Sequence, residues 1–252
     1  MKYLLKLSYL GTHYCGFQVQ PNGNTVQAEL CRATETLFAR PCAVTGCSRT
    51  DSGVHAEEYY ATVAFEGTSS VPCERIPQAL CTYLPEDISV SAAWRTPDDF
   101  SVRRAVSGKE YCYRIWNGRQ KNPFCADRAF FYPGTIDTAR MTEAGKRLIG
   151  RHDFASFMAS GSDMEDTVRT VTGLRVERDG DFVCIYVSAD GFLYNMVRII
   201  VGTLIEVSEG KIAPEEIPDI LSARDRMRAG RTAPAGGLFL HKVFISVPEG
   251  IV

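Results

Sequence analysis

Residues 48 to 56 read Ser-Arg-Thr-Asp-Ser-Gly-Val-His-Ala, so a carboxylate (Asp51), a guanidinium (Arg49), three hydroxyls (Ser48, Thr50, Ser52) and an imidazole (His55) fall together between two apolar stretches. A carboxylate held at a strand end can act as nucleophile or base, and a guanidinium two residues away is well shaped to hold a phosphate. The plainer alternative is a turn in which Asp51 or Ser52 caps a backbone amide. Other chemistries have less support. The nearest approach to a serine-hydrolase elbow, Gly46-Cys47-Ser48-Arg49-Thr50, lacks the closing glycine. His13, His55, His152 and His241 are isolated and no C-x-x-C pair occurs, which argues against a metal site. No P-loop or G-x-G-x-x-G argues for a nucleotide cofactor.

A second group lies in residues 103–121, where Arg103, Arg104, Lys109, Arg114, Arg119 and Lys121 face only Glu110, a local charge of +5 in a chain whose formal charge is -2. Tyr111, Tyr113 and Trp116 interleave with those charges. On a strand, Tyr111 and Tyr113 share one face while Arg114 and Trp116 share the other. Such a mixture suits stacking on an unpaired base beside a phosphate backbone; the plainer alternative is a half-buried strand whose tyrosines are core and whose arginines are solvated. Arg224, Arg226, Arg228 and Arg231 form another basic cluster near Gly230, Gly236 and Gly237.

Arg198 stands alone inside an apolar run. Between Leu193 and Val207 the only other charge is Glu206, eight residues on, about 12 Å along a helix and so a poor partner. A helix apolar nearly all round is buried, and a buried guanidinium cannot shed its proton. The reading is a partner from another segment, Asp51 being the best candidate. The alternative is bonding to backbone carbonyls or extension of the side chain to the surface.

These residues belong to a chain of 252 residues, 45% hydrophobic and 23% charged, with a pI near 6.1. That balance is globular, with no overall field to attract a polyanion, so a nucleic-acid site must be a local patch. Nine cysteines without disulfide-like spacing imply a reduced, cytoplasmic protein. Met1 to Tyr9 is interrupted by Lys2 and Lys6 and reads as a strand, not a signal peptide; nothing resembles a membrane span.

The elements that must carry the residues follow from hydrophobic period. Lys2–Tyr9 alternates as a strand; a turn at Pro21, Asn22, Gly23 leads to a helix with Asn24 and Gln27 as capping box and Val26, Leu30, Ala33, Leu37 and Phe38 on its apolar face, stopped by Pro41. Strands at 42–47, 58–65 and 88–94 and a helix at 74–83 complete the first half. The second half has a strand at 110–116, a helix at 138–149 closed by Gly150, paired strands at 168–177 and 182–188 turning at Asp179-Gly180, a helix from Tyr194 to Val207, a shorter one at 215–223 and a strand at 238–247. The expectation is an α+β protein of two ferredoxin-like (RRM-like) halves with antiparallel sheets, residues 1–103 and 104–252, and a basic cleft between them.

The segment Ser48 to Ala56 closely resembles the G-R-T-D-A-G-V-H-A string of the tRNA pseudouridine synthase A (TruA) family. Tyr9-x-Gly11-x-x-Tyr14-x-Gly16-Phe17-Gln18, Val26-Gln27, Lys109-Glu110-Tyr111-Cys112-Tyr113, Phe154-x-x-Phe157, Phe192 through Arg198, Arg231-Thr232-Ala233-Pro234 and Gly237-Leu238-Phe239-Leu240 follow in order. The likeness spans essentially the whole chain. Ser48 stands where glycine is usual, Ser52 where alanine is, and Phe17 where tryptophan is frequent.

This resemblance implies a cofactor-free, metal-free isomerase that breaks the N1 to C1′ bond of uridine, rotates the base and rejoins it through C5. It implies a homodimer acting on the anticodon stem-loop of tRNA at positions 38, 39 and 40. Asp51 would be the catalytic aspartate, as nucleophile on sugar or base or as the group that removes a sugar proton. Tyr111 would stack under the target base and help remove the C5 proton, and Arg198 would pair with the aspartate. Arg49 would fill the place of the flipped nucleotide or hold its phosphate. Arg103, Arg104, Lys109, Arg114, Arg228 and Arg231 would hold RNA, and Thr50, Val54, His55 and Leu238 would line the substrate pocket. A non-catalytic RNA-binding protein of RRM-like halves would keep the patch without needing Asp51; an aspartate-dependent hydrolase of a small phosphorylated substrate would not need two basic clusters.

Overall fold

The computed structural model describes residues 1–21, 23–161 and 164–247, which divide into two compact units, Met1–Ser107 with the chain from Leu240 onward, and Gly108–Phe239. Both are mixtures of helix and mostly antiparallel strand, as an α+β pattern predicts. The sequence expectation keeps residues 104–252 together. Here the closing strand from Leu240 counts with the first unit, where it lies beside the strand His55–Ala64.

In the first unit, β1 (Lys2–Tyr9) buries Tyr3, Leu5, Leu7 and Tyr9, while Lys2, Lys6 and Ser8 are half-buried. Helix α1 (Val26–Phe38) buries Val26, Leu30, Ala33, Thr34 and Phe38, a stripe at helical spacing. Then come β2 (Ala43–Gly46), β3 (His55–Ala64), α2 (Ile76–Cys81), β4 (Ile88–Thr96) and the short α3 (Val102–Ala105). Strand β1 lies between β3 and β4, Leu5 facing Ala61 on one side and Ala93 on the other. Strand β2 takes Ala61 to Ala64 on the other edge of β3.

The second unit contains β5 (Val106–Trp116) from Gly108, β6 (Phe130–Phe131), α4 (Thr138–Lys146), β7 (Gly150–Asp153), β8 (Val168–Asp179), β9 (Phe182–Ala189), α5 (Met196–Ser208) and α6 (Ile217–Ala223). Its strands run in the order β5-β9-β8-β7, with β6 parallel to β5. Helix α5 buries ten of its 13 residues, which makes it the core of the unit, and α4 packs on it and on β8. The final strand, β10 (Leu238–Ile245), returns to the first unit and lies beside β3. There His241 Nδ1 lies 2.6 Å from Glu57 Oε2, and Val243 N donates to Glu58 Oε1.

Several expected boundaries move, each for a local reason. The N-cap of α1 is Thr25, whose Oγ1 accepts the Ala28 amide at 3.3 Å; Gln27 is occupied elsewhere, its Nε2 donating to Val44 O and its Oε1 accepting the Val19 amide. The expected helix over 138–149 stops at Lys146, because the Arg147 amide folds back to Ala144 and Gly145, and Gly150 opens β7. Helix α5 starts at Met196, since Asn195 takes a left-handed backbone (φ 58°) that no helix continues through. The expected helix over 74–83 is a 3-10 turn at Cys73–Arg75 followed by α2. Asp179 pairs with Phe182, so the hairpin turns on Gly180 and Asp181. Asn22 of the expected Pro21-Asn22-Gly23 turn lies outside the described residues. Among the described residues, no helix is long and apolar enough to cross a membrane.

Candidate active site

The polar segment is the loop from β2 into β3, and side chains from neighbouring elements hold it residue by residue. The Tyr59 hydroxyl accepts the Ser48 amide at 3.3 Å and donates to the Ser48 carbonyl. Arg49 is exposed, its Nε giving a 2.7 Å bond to Gln18 Oε1. Thr50 is buried, with Oγ1 2.8 Å from the Tyr9 hydroxyl. Asp51 is half-buried and its carbonyl accepts the Val54 amide at 3.1 Å, closing a turn across Ser52 and Gly53. The Ser52 hydroxyl reaches out of the turn to Tyr14 O at 3.3 Å.

A second loop, residues 10–18, braces the first from beneath. Phe17 N donates to Thr50 O and Gly53 N to Tyr14 O. Gly16 is required for this approach: its φ is +83°, and a Cβ there would stand 2.3 Å from Thr50 O. His55 is fully buried, and its Nδ1 accepts the Gly11 amide at 2.9 Å, so the proton of the neutral ring belongs on Nε2. Val54 is buried as well. Tyr9, Phe17 and Tyr59 pack as an aromatic floor, Phe17 stacked on Tyr59 at 4.3 Å and Tyr9 edge-on to Tyr59 at 5.7 Å.

In the second unit, Tyr111 is buried on β5 opposite Val187 and meets Phe192 edge-on at 5.0 Å. Arg198, in the first turn of α5, is half-buried where the sequence suggested full burial. Its Nε donates to Ala233 O at 2.7 Å and its Nη1 to Asn195 Oδ1 at 2.6 Å, so backbone and amide oxygens satisfy much of the guanidinium. The segment that supplies Ala233 is pressed on α5: a Cβ on Gly202 would stand 1.7 Å from Arg231 O. Tyr113 is fully buried and gives its hydroxyl to Pro234 O at 2.8 Å. Burial pushes that hydroxyl's pKa well up, and the positive charges of Arg198 and Arg231 act against it. Leu238 is buried at the start of β10.

The basic residues divide by what they touch. Arg104 and Arg228 are exposed and form no ion pair among the described residues. Arg103 is exposed and gives Nε to Gly46 O at 3.3 Å. Lys109 is half-buried opposite Ala189, and Arg114 lies 4.0 Å over the Phe239 ring. Arg231 is tied to carboxylates, its amide to Glu206 Oε1 at 3.0 Å and its Nη2 to Glu209 Oε1 at 3.3 Å. Arg224 pairs with Asp153 at 2.8 Å. Among the described residues, no three His, Cys, Asp or Glu side chains gather as metal ligands.

Set against known proteins, residues 7–103 and 144–244 match the family model described as tRNA pseudouridine synthase. The protein named tRNA pseudouridine synthase A 2 of Clostridium perfringens is 42% identical over 242 residues, covering 95% of this chain and 98% of its own. That named tRNA pseudouridine synthase A of Clostridium acetobutylicum is 43% identical over 239 residues, covering 95% and 97%. The Bacillus pumilus protein of the same name is 42% identical over 246 residues, covering 97% and 99%.

Proposed function

The chain belongs to the tRNA pseudouridine synthase A family, and from that premise we propose how its own residues serve the isomerisation of uridine to pseudouridine in tRNA. The substrate is the anticodon stem-loop, at positions 38, 39 and 40. A uridine in a stem must leave its stack before C1′ and C6 can be reached, at a cost of a few kcal/mol. Arg49, the exposed cation of the loop, occupies the vacated place or holds the displaced phosphate. Asp51 is the catalytic carboxylate. The glycosidic N1 to C1′ bond breaks, the uracil turns, and C5 bonds to C1′; the proton lost from C5 is balanced by one gained at N1, so nothing is oxidised or reduced.

Tyr111 supplies the platform under the base and assists loss of the C5 proton, and Arg198 favours the ionised form of the aspartate. Thr50 and Leu238 line the pocket, with Val54 and His55 supporting it from behind. Arg103, Arg104, Lys109, Arg114, Arg228 and Arg231 take the RNA backbone. The working form is a cytoplasmic homodimer of chains with two RRM-like halves and a basic cleft for tRNA. The observation that supports this reading best is the loop itself: the residues on each side of Asp51 are fixed by bonds from other segments, an investment that a surface connector does not need.

The test is incubation of the protein with unmodified tRNA carrying uridine at those positions, followed by assay for pseudouridine. Asp51→Asn, nearly equal in volume, is expected to bind tRNA within about threefold of the parent and to turn over below detection. Substantial residual turnover would remove Asp51 from the chemistry. A protein that only bound RNA would make no pseudouridine in either form.

A further inference from the structure

We infer that the hydroxyls of Tyr59 and Tyr9 are the positioning groups of the catalytic loop, fixing the main chain of Ser48 and the side chain of Thr50 on either side of Arg49 so that Arg49 and Asp51 are presented in one geometry. The inference rests on the role proposed for Asp51. Its starting point is the floor of three rings. Tyr59 is fully buried in β3, Tyr9 is buried at the end of β1, and Phe17 comes from the bracing loop. A buried tyrosine normally needs one partner for its hydroxyl. Tyr59 has two, and they are the amide and the carbonyl of the same residue, Ser48. A single hydroxyl that both accepts from and donates to one residue fixes that residue's position and its rotation about the chain.

Tyr9 does the same work two residues on, through the Thr50 side chain at 2.8 Å. Arg49 lies between the two anchors, and Asp51 follows the second immediately. The rings cannot tilt to relax the hydroxyls. Phe17 is stacked on Tyr59 at 4.3 Å, and a Cβ on Gly46 would stand 2.2 Å from the Tyr59 oxygen, so β2 closes the remaining side. Both hydroxyls act at a remove from the reacting atoms, Tyr59 through the main chain of Ser48 and Tyr9 through the side chain of Thr50.

Phenylalanine at either position keeps the ring and its packing and removes the hydroxyl that makes the anchor. The expected result for Tyr59→Phe is a kcat about 100-fold lower, the loss typical of an ångström of misplacement, with KM and the tRNA dissociation constant within about threefold. Tyr9→Phe, which loosens one side chain and no main-chain bond, should cost about tenfold in kcat. Tyr59→Leu, which destroys the floor, should unfold at lower temperature; the Phe variants should stay close to the parent in thermal unfolding, so a structural defect is read separately from the kinetic one. Parental kcat in Tyr59→Phe while Asp51→Asn is dead overturns the anchor and leaves the aspartate in place. Full activity of Asp51→Asn overturns the reading beneath it. A fall in kcat fully accounted for by an equal fall in the folded fraction also overturns the anchor, because the tyrosine would then only hold the fold.

Discussion

Arg198 and Ala233 bond each other in both directions: the guanidinium Nε donates to the Ala233 carbonyl at 2.7 Å, and the Ala233 amide donates to the Arg198 carbonyl at 3.0 Å. Ala233 is buried, so the side chain of Arg198 supplies one of the few donors its carbonyl can find. Lysine cannot offer the Nε and Nη1 donors of this fork together. Arg198→Lys should therefore lose about 1–3 kcal/mol of stability, the cost of orphaning a buried acceptor, and should also lose kcat. If the proposed partnership with Asp51 holds, the stability losses of Arg198→Lys and Asp51→Asn will be non-additive, the double variant being less damaged than the sum of the singles. Losses that add within about 0.5 kcal/mol would confine Arg198 to its structural bond with Ala233.

Tyr111 separates into a ring and a hydroxyl. Tyr111→Phe keeps the edge contact with Phe192 and the stacking face, and should lower kcat by about 100-fold, the usual size of a lost proton-transfer group, at unchanged KM. Tyr111→Leu should add about a tenfold loss of affinity, within the range of base stacking on an aromatic ring. Steady-state kinetics on one tRNA decides it: equal constants for the two variants would show that stacking plays no part.

Binding should be steeply salt-dependent, because an acidic chain must hold tRNA through local cations. Affinity measured by fluorescence anisotropy is expected to fall by orders of magnitude between about 50 and 200 mM salt. Arg104→Gln and Arg228→Gln, which break no ion pair, should each flatten the slope by about 0.7 to 0.9. Arg224→Gln should appear in stability instead, since it strips a partner from Asp153. A slope unmoved by Arg104→Gln and Arg228→Gln would exclude them as phosphate contacts.

Asp153 sets an acid limit. Its carboxyl is held below the ordinary value chiefly by the Thr167 hydroxyl, which donates to Oδ1 at 2.6 Å; burial opposes this, and the Ala155 amide and Arg224 add to it. A carboxyl lowered in the folded state adds stability that is complete above the unfolded pKa, about 3.9, and is lost as pH falls through the folded value. Thr167→Val should thus unfold at a lower temperature than the parent at pH 7, with the gap closing below about pH 4. A gap unchanged at pH 3 would mean packing, not titration.

What could be read from the sequence is what repeats locally. The stripe of α1, the alternation of β1, and the faces of β5, where Tyr111 and Tyr113 pair with Val187 and Ile185, all follow from period. The polar density at 48–56 marked the loop. The anchors of that loop were not legible, because Tyr59 and Tyr9 lie 11 and 41 positions from the residues they hold. Asn24 and Thr25 are both competent caps, and only the path of the chain selects Thr25. Gly150 reads as a helix stop by type, though its φ of +120° opens a strand. The burial of Arg198 was overestimated because an apolar helix says nothing about its first turn, where the side chain can leave the core toward Asn195 and Ala233.

The return of β10 to the first unit sets an order of assembly. During synthesis the N-terminal strands emerge first, yet the stretch of β3 that β10 lies beside stays open until Leu238–Ile245 has been made. Residues Gly108–Phe239 form a contiguous stretch and can complete their unit in the meantime. At 5 to 20 residues per second, the open edge waits on the order of ten seconds beside nascent chains carrying the same edge. Chains released before β10 would carry that unpaired strand permanently, an exposed edge of the kind that pairs with other chains.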